Sequence, residues 1–404
     1  MAAVASYNAS MTRPYDVCIR GAGIVGSTLA LHLAAKRLRV ALVRQDLTSH
    51  DAHSDVRAYA MSPASRAVLE TIRCWPDEAN ATPVLAMEVQ SQDDGRSDAR
   101  LQFAAADQGT AALNWIVDVP VLEGLLAQAV QFQPLITVQA TPSPATLTVV
   151  CEGRASSTRA EFGVTFDTQP YHQWAIATRV QCARAHSQVA RQWFAQGDVL
   201  ALLPLDGPTG DRCAVVWSVS EARAAALQAL DPEDFCRAME FASQGALGAL
   251  SLVSSRHVWP LQSAQAQRWT GSSSAASSWV LAGDAAHSVH PLAGQGLNLG
   301  LGDVAELVRV LDTRPYWCTV ADPKLLRAYE RARKTELALV GGAGDALQQI
   351  FCQTQPTIQA LRSWGMQAFD HSGLIKRWVA RRAMGAAPRA DRAGHHTHTT
   401  PGTP

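Results

Sequence analysis

Three glycines near the start of the chain have the spacing of a dinucleotide-binding motif. Gly21, Gly23 and Gly26 form the pattern G-x-G-x-x-G. In this pattern the first glycine makes a tight turn, the second lets the backbone approach a pyrophosphate, and the third lets a helix pack against a strand. The following helix offers N–H groups and a partial positive charge to the phosphates. The motif predicts a bound dinucleotide and does not by itself distinguish FAD from NAD.

A second glycine-rich stretch, residues 279–302, has the sequence WVLAGDAAHSVHPLAGQGLNLGLG. Gly283 and Asp284 end a predicted strand, where an acidic side chain beside a glycine can accept hydrogen bonds from ribityl hydroxyls. Downstream, two glycines flank an amide where a helix begins, so bare backbone N–H groups would face a ligand there. If that ligand is the pyrimidine end of a flavin, the helix dipole stabilises the anionic reduced ring. The other cofactor contacts predicted in this stretch are Pro291, Gly294, Gln295, Gly296, Leu297 and Asn298.

Two histidines three positions apart, His287 and His290, lie inside this stretch. A zinc site needs at least a third protein ligand, and the sequence suggests none, so no metal site is predicted. His290 precedes Pro291, nearest the predicted flavin face. We therefore treat His290 as a candidate catalytic acid–base group, with a structural role as the alternative.

The residue expected to hold the adenosine ribose is missing from its usual place. An acid is expected about 20 residues after the first glycine motif. The predicted strand ends at Arg44 instead, and the nearest acid, Asp46, follows two residues later. Either Asp46 takes this role through a shifted backbone, or Arg44 contacts the ribose in a different way.

The elements around the first motif form a β–α–β unit. Residues Tyr15–Arg20 (YDVCIR) predict a buried strand, Ile24–Lys36 a helix with a small-residue face, and Arg39–Arg44 (RVALVR) the next strand. This connection implies a parallel sheet with a right-handed crossover.

The middle of the chain, from about residue 84 to residue 262, has short apolar or alternating runs separated by Gly, Pro and Ser. These runs predict strands of a second, mostly antiparallel sheet. They are Val84–Gln90, Leu113–Val117, Leu147–Val150, Trp174–Val180, Val199–Leu205 and Cys213–Ser218. The other predicted elements are helices at Pro120–Val130, Pro232–Ser243 and Leu297–Leu311, a serine-rich turn at Gly271–Ser278, a strand at Trp279–Leu281 and helical patterns to about Gly385.

The composition is that of a globular protein. Of 404 residues, 47% are hydrophobic and 17% are charged, which excludes wholesale disorder. Basic and acidic residues both number 35, so the zero net charge gives no footprint for nucleic acid or an anionic membrane. The eight cysteines form no C-x-x-C pair and predict reduced thiols in a cytoplasmic protein. No run of about 20 apolar residues, the length that spans a bilayer, is found in the sequence.

Both glycine-rich motifs, with the segments Asp55–Ser62 (DVRAYAMS) and Tyr329–Lys334 (YERARK), resemble the FAD-dependent aromatic hydroxylases, or group A flavoprotein monooxygenases. Within that family the chain is most similar to the hydroxylases of bacterial ubiquinone biosynthesis, over about residues 15–385. The resemblance implies that Arg57 lies at the flavin diphosphate or ribityl chain, where its guanidinium would form a fork for phosphate oxygens. The alternative for Arg57 is an ordinary ion pair.

A further family element, D-G-x-x-S-x-x-R, corresponds to residues 152–159 (EGRASSTR). In the family it helps to bind FAD and, by implication, NAD(P)H. Glu152 replaces the aspartate here, so the resemblance implies a cofactor contact by a longer acid.

The resemblance implies an FAD-dependent monooxygenase that hydroxylates the ring of a (poly)prenylated phenol in ubiquinone biosynthesis. NAD(P)H would be a transient co-substrate that reduces FAD, and O2 would then give the flavin C(4a)-hydroperoxide. The single dinucleotide motif agrees with this, because a separate NAD(P)H domain would carry a second one. Two alternatives stay open: another enzyme on the same fold, either a hydroxylase of another phenolic substrate or a flavin reductase or oxidase, and a non-catalytic flavin-binding scaffold of the quinone-biosynthesis complex.

The substrate side of the sequence is less specific. Aromatic residues in the middle region would either line a pocket for a ring with an isoprenoid tail or belong to the core. They are Trp115, Tyr171, Trp174, Trp193 and Trp217. Since a long-tailed product is membrane-soluble, we expect a cytoplasmic protein that meets the inner membrane peripherally or through partner proteins of quinone biosynthesis. Residues 374–382 are the candidate contact, with a solvated helix face as the alternative.

The predicted fold class is α/β, with a Rossmann-like FAD-binding domain interleaved with a mostly antiparallel-sheet substrate domain, plus C-terminal helices. The FAD-binding domain is predicted at residues 15–83, 146–165 and 269–345, the substrate domain at 84–145 and 166–268, the C-terminal helices at 346–387, a loose N-terminus at 1–14 and a disordered tail at 388–404.

Overall fold

The structure is a computed structural model that describes residues 15–44, 55–92, 99–274, 276–289 and 295–352. Several sequence predictions fall outside these ranges. They are the loose N-terminus, Asp46, His290, Pro291, Gly294, the segment 374–382, the tail, and the C-terminal helices beyond residue 352.

The described chain alternates between sheets and helices. The strands are β1 (Tyr15–Arg20), β2 (Val40–Val43), β3 (Ala58–Met61), β4 (Ala81–Val84), β5 (Ala86–Gln92), β6 (Ala99–Ala104), β7 (Asn114–Asp118), β8 (Ile136–Gln139), β9 (Ala145–Val150), β10 (Phe166–Cys182), β11 (Val189–Ala195), β12 (Asp198–Pro204), β13 (Arg212–Ser220), β14 (Leu250–Leu252), β15 (His257–Ala266), β16 (Thr270–Ser274), β17 (Ser277–Leu281) and β18 (His287–Ser288). The helices are α1 (Ile24–Ala35), α2 (Pro63–Thr71), α3 (Ala105–Gln108), α4 (Val119–Gln131), α5 (Ser157–Glu161), α6 (Glu221–Ala229), α7 (Pro232–Ala242), α8 (Gln295–Asp312) and α9 (Pro323–Cys352), with a 3-10 turn at Gly283–Ala285.

The first sheet has six strands in the order β16–β17–β9–β1–β2–β8. All neighbours are parallel except β16 and β17. The predicted β–α–β unit is confirmed, because β1 and β2 pair in parallel on either side of α1. All four residues of β2 are buried, as the continuous apolar pattern of a parallel strand requires.

The second sheet has nine strands in the order β18–β15–β10–β13–β12–β11–β5–β6, and β14 pairs with β10. Its neighbours are antiparallel except β11 and β5. One face packs on α6 and α7, where Trp193, Trp217 and Phe235 are almost completely buried. The other face is left to form the wall of the site described below.

The structure corrects three predictions about the middle strands. Leu147–Val150 lies in the parallel sheet, between β1 and β17, because an apolar run alone does not say which sheet a strand joins. Leu113–Val117 lies in a separate three-stranded sheet with the order β3–β7–β4. Val84–Gln90 is divided at Leu85 between that small sheet and the nine-stranded one.

The predicted serine-rich turn is also wrong in part. Residues 270–274 form β16, which pairs antiparallel with β17. Strand β16 lies at the edge of the sheet, where polar side chains cost little because they stay in water.

The α/β fold class is confirmed, as are the helices predicted at Pro120–Val130, Pro232–Ser243 and Leu297–Leu311. The division into domain segments stays a prediction. No helix in the described ranges combines the length and apolar character needed to cross a bilayer.

Candidate active site

A cleft of about 1340 Å³ lies between the parallel sheet and the free face of the nine-stranded sheet. Both glycine-rich motifs line it, although they are far apart in the sequence. The predicted cofactor contacts among its lining residues are Gly21, Gly23, Arg57, Glu152, Gly283, Asp284, Gln295, Gly296, Leu297 and Asn298. The fold therefore brings these predicted residues together around one cavity.

The three glycines of the first motif have different surroundings. A Cβ atom on Gly21 would lie 2.4 Å from the carbonyl oxygen of Cys151, and one on Gly26 would lie 1.9 Å from the carbonyl oxygen of Gly21. Gly23 lines the cleft, and a Cβ atom there would have no heavy atom within 4 Å. Gly21 and Gly26 are thus required by packing, whereas Gly23 leaves room for a ligand to approach the backbone.

Asp284 follows a glycine in the left-handed region, since Gly283 has φ +63°. The Asp284 carboxyl group is open to the cleft but enclosed by its walls. This enclosure raises its pKa, although His287 and Arg154 act in the opposite direction. A half-enclosed carboxyl group at this position can accept hydrogen bonds from the hydroxyls of a bound polyol chain.

The turn that carries Asp284 is held from beneath by a fully buried carboxylate. Asp303 on α8 accepts hydrogen bonds from the N–H of Gly283 at 2.8 Å and from Nε2 of His287 at 2.7 Å. Its other oxygen accepts a hydrogen bond from Nε of Arg333 at 2.7 Å. Burial would raise the pKa of Asp303, but His287 and Arg333 outweigh it, so the pKa is lowered overall.

Sequence reasoning missed Asp303 and Arg333 as members of the site. Asp303 directly follows the second glycine-rich stretch, and Arg333 belongs to the segment YERARK that carried the family resemblance. The two residues are 30 positions apart in the sequence, and no local pattern indicates that their side chains form a hydrogen bond.

The second glycine motif opens the N-terminus of α8 towards the cleft. Gln295, Gly296 and Leu297 line the cavity, and a Cβ atom on Gly296 would have no heavy atom within 4 Å. Backbone N–H groups of a first helical turn have no partner within the helix and carry partial positive charge. This end of the cleft therefore suits an electron-rich or anionic ring edge.

Asn298 lines the cleft, and its side-chain amide also ties α8 to the neighbouring chain. Its Nδ2 donates to the carbonyl oxygen of Ala60 at 2.8 Å. Its Oδ1 accepts from the N–H of Ser62 at 2.9 Å and from the hydroxyl of Ser65 at 2.7 Å. The amide thus fixes the start of α8 against β3 and α2.

We expect Asn298→Ala to lower the free energy of unfolding by about 2 kcal/mol, because it leaves partly buried polar groups without a partner. FAD affinity should fall as well, since the start of α8 is no longer fixed. Urea unfolding and FAD titration measure the two effects. Unchanged stability would show that water replaces the amide without cost.

Arg57 is held by two carboxylates. Its guanidinium lies 2.6 Å from Asp55 and 3.2 Å from Glu123, and 45% of its side chain is exposed. The ion pair that the sequence left as an alternative is therefore present, while the side chain still lines the cleft. The hydrogen bond to Asp55 raises the pKa of Arg57.

The Glu152 carboxylate faces its own loop. It accepts hydrogen bonds from the Ser156 hydroxyl at 2.8 Å, from the Thr158 N–H at 3.1 Å and hydroxyl at 2.5 Å, and from Nε of Arg20 at 3.1 Å. Burial alone would raise its pKa, but these hydrogen bonds and the Arg20 charge lower it. In this structure the longer acid caps the loop that leads into α5.

Arg44 lines the cleft at the end of β2, in the place where an acid was expected. Asp46, the other candidate for the ribose contact, lies outside the described ranges. Of the two candidates, Arg44 is the one that the described part of the chain places at the cleft.

Beyond the glycine motifs, the cleft continues along an apolar wall of the nine-stranded sheet. The wall residues include Ala177, Val199, Ala201, Leu203, Ala214 and Val216. None of the five aromatic residues considered as pocket candidates lines the cleft. Trp193 and Trp217 are core residues instead, on the opposite face of the sheet.

One glycine turn follows the inner strand β1 of the parallel sheet, a second glycine turn faces it, and one cleft lies between them. Together these features define a dinucleotide-binding oxidoreductase of the α/β class. The model of an FAD binding domain matches residues 141–340. Over 394 residues the chain is 32% identical to the ubiquinone hydroxylase UbiL of Rhodospirillum rubrum, covering 92% of this chain and 89% of that protein. The chain therefore belongs to the family of FAD-dependent aromatic hydroxylases.

Other relatives agree. The 3-demethoxyubiquinol 3-hydroxylase of Escherichia coli is 28% identical over 92% of this chain and 99% of its own. The crystal structure of PqsL from Pseudomonas aeruginosa has a TM-score of 0.71 at 21% identity, over 88% of this chain and 99% of that one. The crystal structure of the p-nitrophenol 4-monooxygenase PnpA of Pseudomonas putida has a TM-score of 0.68 at 17% identity, over 92% of this chain and 96% of that one. The two solved structures show that the fold is shared.

Proposed function

We propose that this enzyme hydroxylates the aromatic ring of a prenylated phenol in ubiquinone biosynthesis, with NAD(P)H as reductant and O2 as oxidant. The observation that carries the proposal is the continuity of the cleft, which joins both glycine turns to an apolar wall. A polar end suits a dinucleotide, and an apolar end suits a hydrocarbon tail. The relatives from Rhodospirillum and Escherichia, a ubiquinone hydroxylase and a 3-demethoxyubiquinol 3-hydroxylase, support the same pathway.

We propose the following division of labour around FAD. The backbone at Gly21 and Gly23 would hold the diphosphate, Asp284 the ribityl chain, and the N-terminus of α8 the pyrimidine edge. Bound FAD would supply the redox chemistry between NAD(P)H, O2 and the ring. The chain's own residues orient the cofactor and the ring and keep water out.

The apolar wall determines which substrate fits. Val199, Ala201 and Leu203 alternate along β12, so their side chains share the face that lines the cleft. Ala201 has the smallest side chain of the three, so the wall extends least into the cleft at this position. A linear isoprenoid chain can bury its methyl groups there, at about 25 cal/mol for each Å² removed from water.

Three further proposals accompany this function. We propose that the FAD-binding and substrate domains consist of the segments predicted from the sequence. We also propose His290 as a candidate acid–base group. Because a long-tailed product partitions into lipid, we also propose that the enzyme meets a membrane peripherally or through partner proteins.

The test uses the purified full-length protein with NADH and NADPH in parallel. The proposal requires the absorption band of oxidised flavin, NAD(P)H oxidation stimulated by a prenylated phenol, and hydroxylated product in matching amount. Stimulation and product with only a tail-free phenol would favour a different phenolic substrate. Flavin binding without any turnover, combined with failure to complement a quinone-deficient strain, would favour a scaffold.

We expect Ala201→Phe to lower kcat/KM for a long-tailed phenol by about tenfold or more, because a wrong fit of a few methylene groups is worth about 1–3 kcal/mol each. The same variant should retain most of its activity towards a tail-free phenol. The ratio of the two kcat/KM values is the measurement, and FAD content is the control. Equal losses for both substrates would place the tail elsewhere.

A further inference from the structure

The Asp284 turn and α9 are connected by a chain of buried hydrogen bonds that does not reach the cleft. His287, Asp303 and Arg333 are at most 4% exposed, and none of the three lines the cavity. Their neighbours Gly283 and Asp284 do line it. Any influence of the three residues on a bound flavin is therefore indirect, through this turn or through α8, whose first residues also line the cavity.

We propose that His287, Asp303 and Arg333 form a positioning triad that fixes the Gly283–Asp284 turn for flavin binding. The inference rests on the proposed contact between Asp284 and the ribityl chain. It assigns to His287 a role through Asp303 rather than a contact with cofactor or substrate.

Asp303 is the centre of the triad. One carboxylate oxygen is shared between the N–H of Gly283 at 2.8 Å and Nε2 of His287 at 2.7 Å. The turn is also packed tightly from α8, because a Cβ atom on Gly300 would lie 3.4 Å from Cα of Gly283 and 2.8 Å from Val25. Gly283 is thus held by a hydrogen bond and by contact, and the direction of the Asp284 side chain follows from both.

His287 is held in one orientation. Its ring stacks on Trp269, with ring centroids 5.0 Å apart and an interplanar angle of 26°. The indole nitrogen of Trp269 is itself fixed by a hydrogen bond to the carbonyl oxygen of Ala266 at 3.0 Å. The imidazole is therefore pre-oriented to bond Asp303, and a ring held this way lowers the cost of fixing the carboxylate.

Arg333 completes the triad from α9. Besides Asp303, it donates to the carbonyl oxygen of Leu299 at 3.0 Å and pairs with Glu336. A Cβ atom on Gly302 would lie 2.7 Å from the Arg333 guanidinium, so glycine is needed for the side chain to pass. Arg333 thereby joins α9 to α8 at the level of the turn.

The test compares variants of the full-length protein by titrating apoprotein with FAD and recording the visible circular dichroism of the bound flavin. We expect His287→Ala to raise the FAD dissociation constant by about tenfold, because a hydrogen bond to a charged group is worth roughly that factor. His287→Gln, which retains a donor near the position of Nε2, should recover most of the affinity. Asp303→Asn should raise the constant and change the dichroism spectrum.

Tyr329→Phe is the matched control. Tyr329 is also fully buried, and its hydroxyl donates to the carbonyl oxygen of Leu281 at 3.0 Å rather than to Gly283, His287 or Asp303. This variant should lose stability without losing FAD affinity.

The outcome that overturns the proposal is equal FAD affinity and an unchanged spectrum in His287→Ala, His287→Gln and the wild type. If His287→Ala does not fold, His287→Gln and Asp303→Asn decide by the same two readouts. The measurements contain no phenol or NAD(P)H, so they stand whether or not the proposed substrate is correct.

Discussion

Gly26→Ala is expected to destabilise the protein by about 3 kcal/mol or more, at the upper end of what overpacking costs. The added methyl group would lie 1.9 Å from the carbonyl oxygen of Gly21, well inside van der Waals contact. The neighbour is backbone within the β1–α1 turn, so no side-chain rotation relieves the clash. Either α1 moves away from β1 or the turn opens, and both outcomes lower the temperature of unfolding of the apoprotein.

Gly23→Ala is the matched variant, three residues earlier in the same motif. A Cβ atom there meets nothing within 4 Å, and the backbone has φ −73°, which alanine adopts without strain. Apoprotein stability should change by less than about 1 kcal/mol, the cost of a poorer N-cap. FAD affinity should fall by tenfold or more, because in the proposed binding mode the methyl group would occupy the surface that the pyrophosphate approaches.

Thermal unfolding of the two apoproteins and FAD titration of each separate packing from binding. We expect the loss of apoprotein stability in Gly26→Ala and the loss of FAD affinity in Gly23→Ala. Wild-type FAD affinity in Gly23→Ala would mean that the diphosphate lies elsewhere in the cleft.

Local patterns predicted individual elements better than their assignment to sheets. The β1–α1–β2 unit was predictable because a glycine motif marks the turn, the centre of β1 is apolar and β2 is apolar throughout. Leu147–Val150 was placed in the wrong sheet because its pattern matches any buried strand. Its true position follows from pairing with β1, more than 120 residues earlier, and such pairing leaves no trace in local sequence.

In the candidate site, too, local motifs were predictable and contacts between distant residues were not. The glycines at the cleft were predictable because their spacing is typical of turns that lie beside a dinucleotide. The ion-pair partners of Glu152 and Arg57 were not predictable, because the sequence around a charged residue does not indicate which opposite charge lies next to it in the fold. The buried contact between Asp303 and Arg333 depends on how α8 and α9 pack, which only the three-dimensional structure supplies.

Arg333→Met is expected to lower the free energy of unfolding by about 3–5 kcal/mol at neutral pH, since it removes one partner of a buried ion pair. Arg333 is 4% exposed and Asp303 is 0% exposed, so water does not solvate the Asp303 carboxylate in place of the lost guanidinium. The control is Arg309→Met, which breaks an ion pair with Glu306 in which Arg309 is 60% exposed. Such a surface pair contributes less than about 1 kcal/mol.

The pH dependence identifies the ion pair as the cause. Asp303 has a lowered pKa in the folded protein, so its stabilising contribution is present above the unfolded value of about 4 and is lost as the pH falls through the folded value. In Arg333→Met the folded pKa of Asp303 rises, because a source of positive charge is gone. The stability difference from the wild type should therefore be largest above about pH 5 and should narrow as the pH falls below about 4. Urea unfolding across this range measures it, and a difference that stays constant with pH would attribute the loss to side-chain packing rather than to charge.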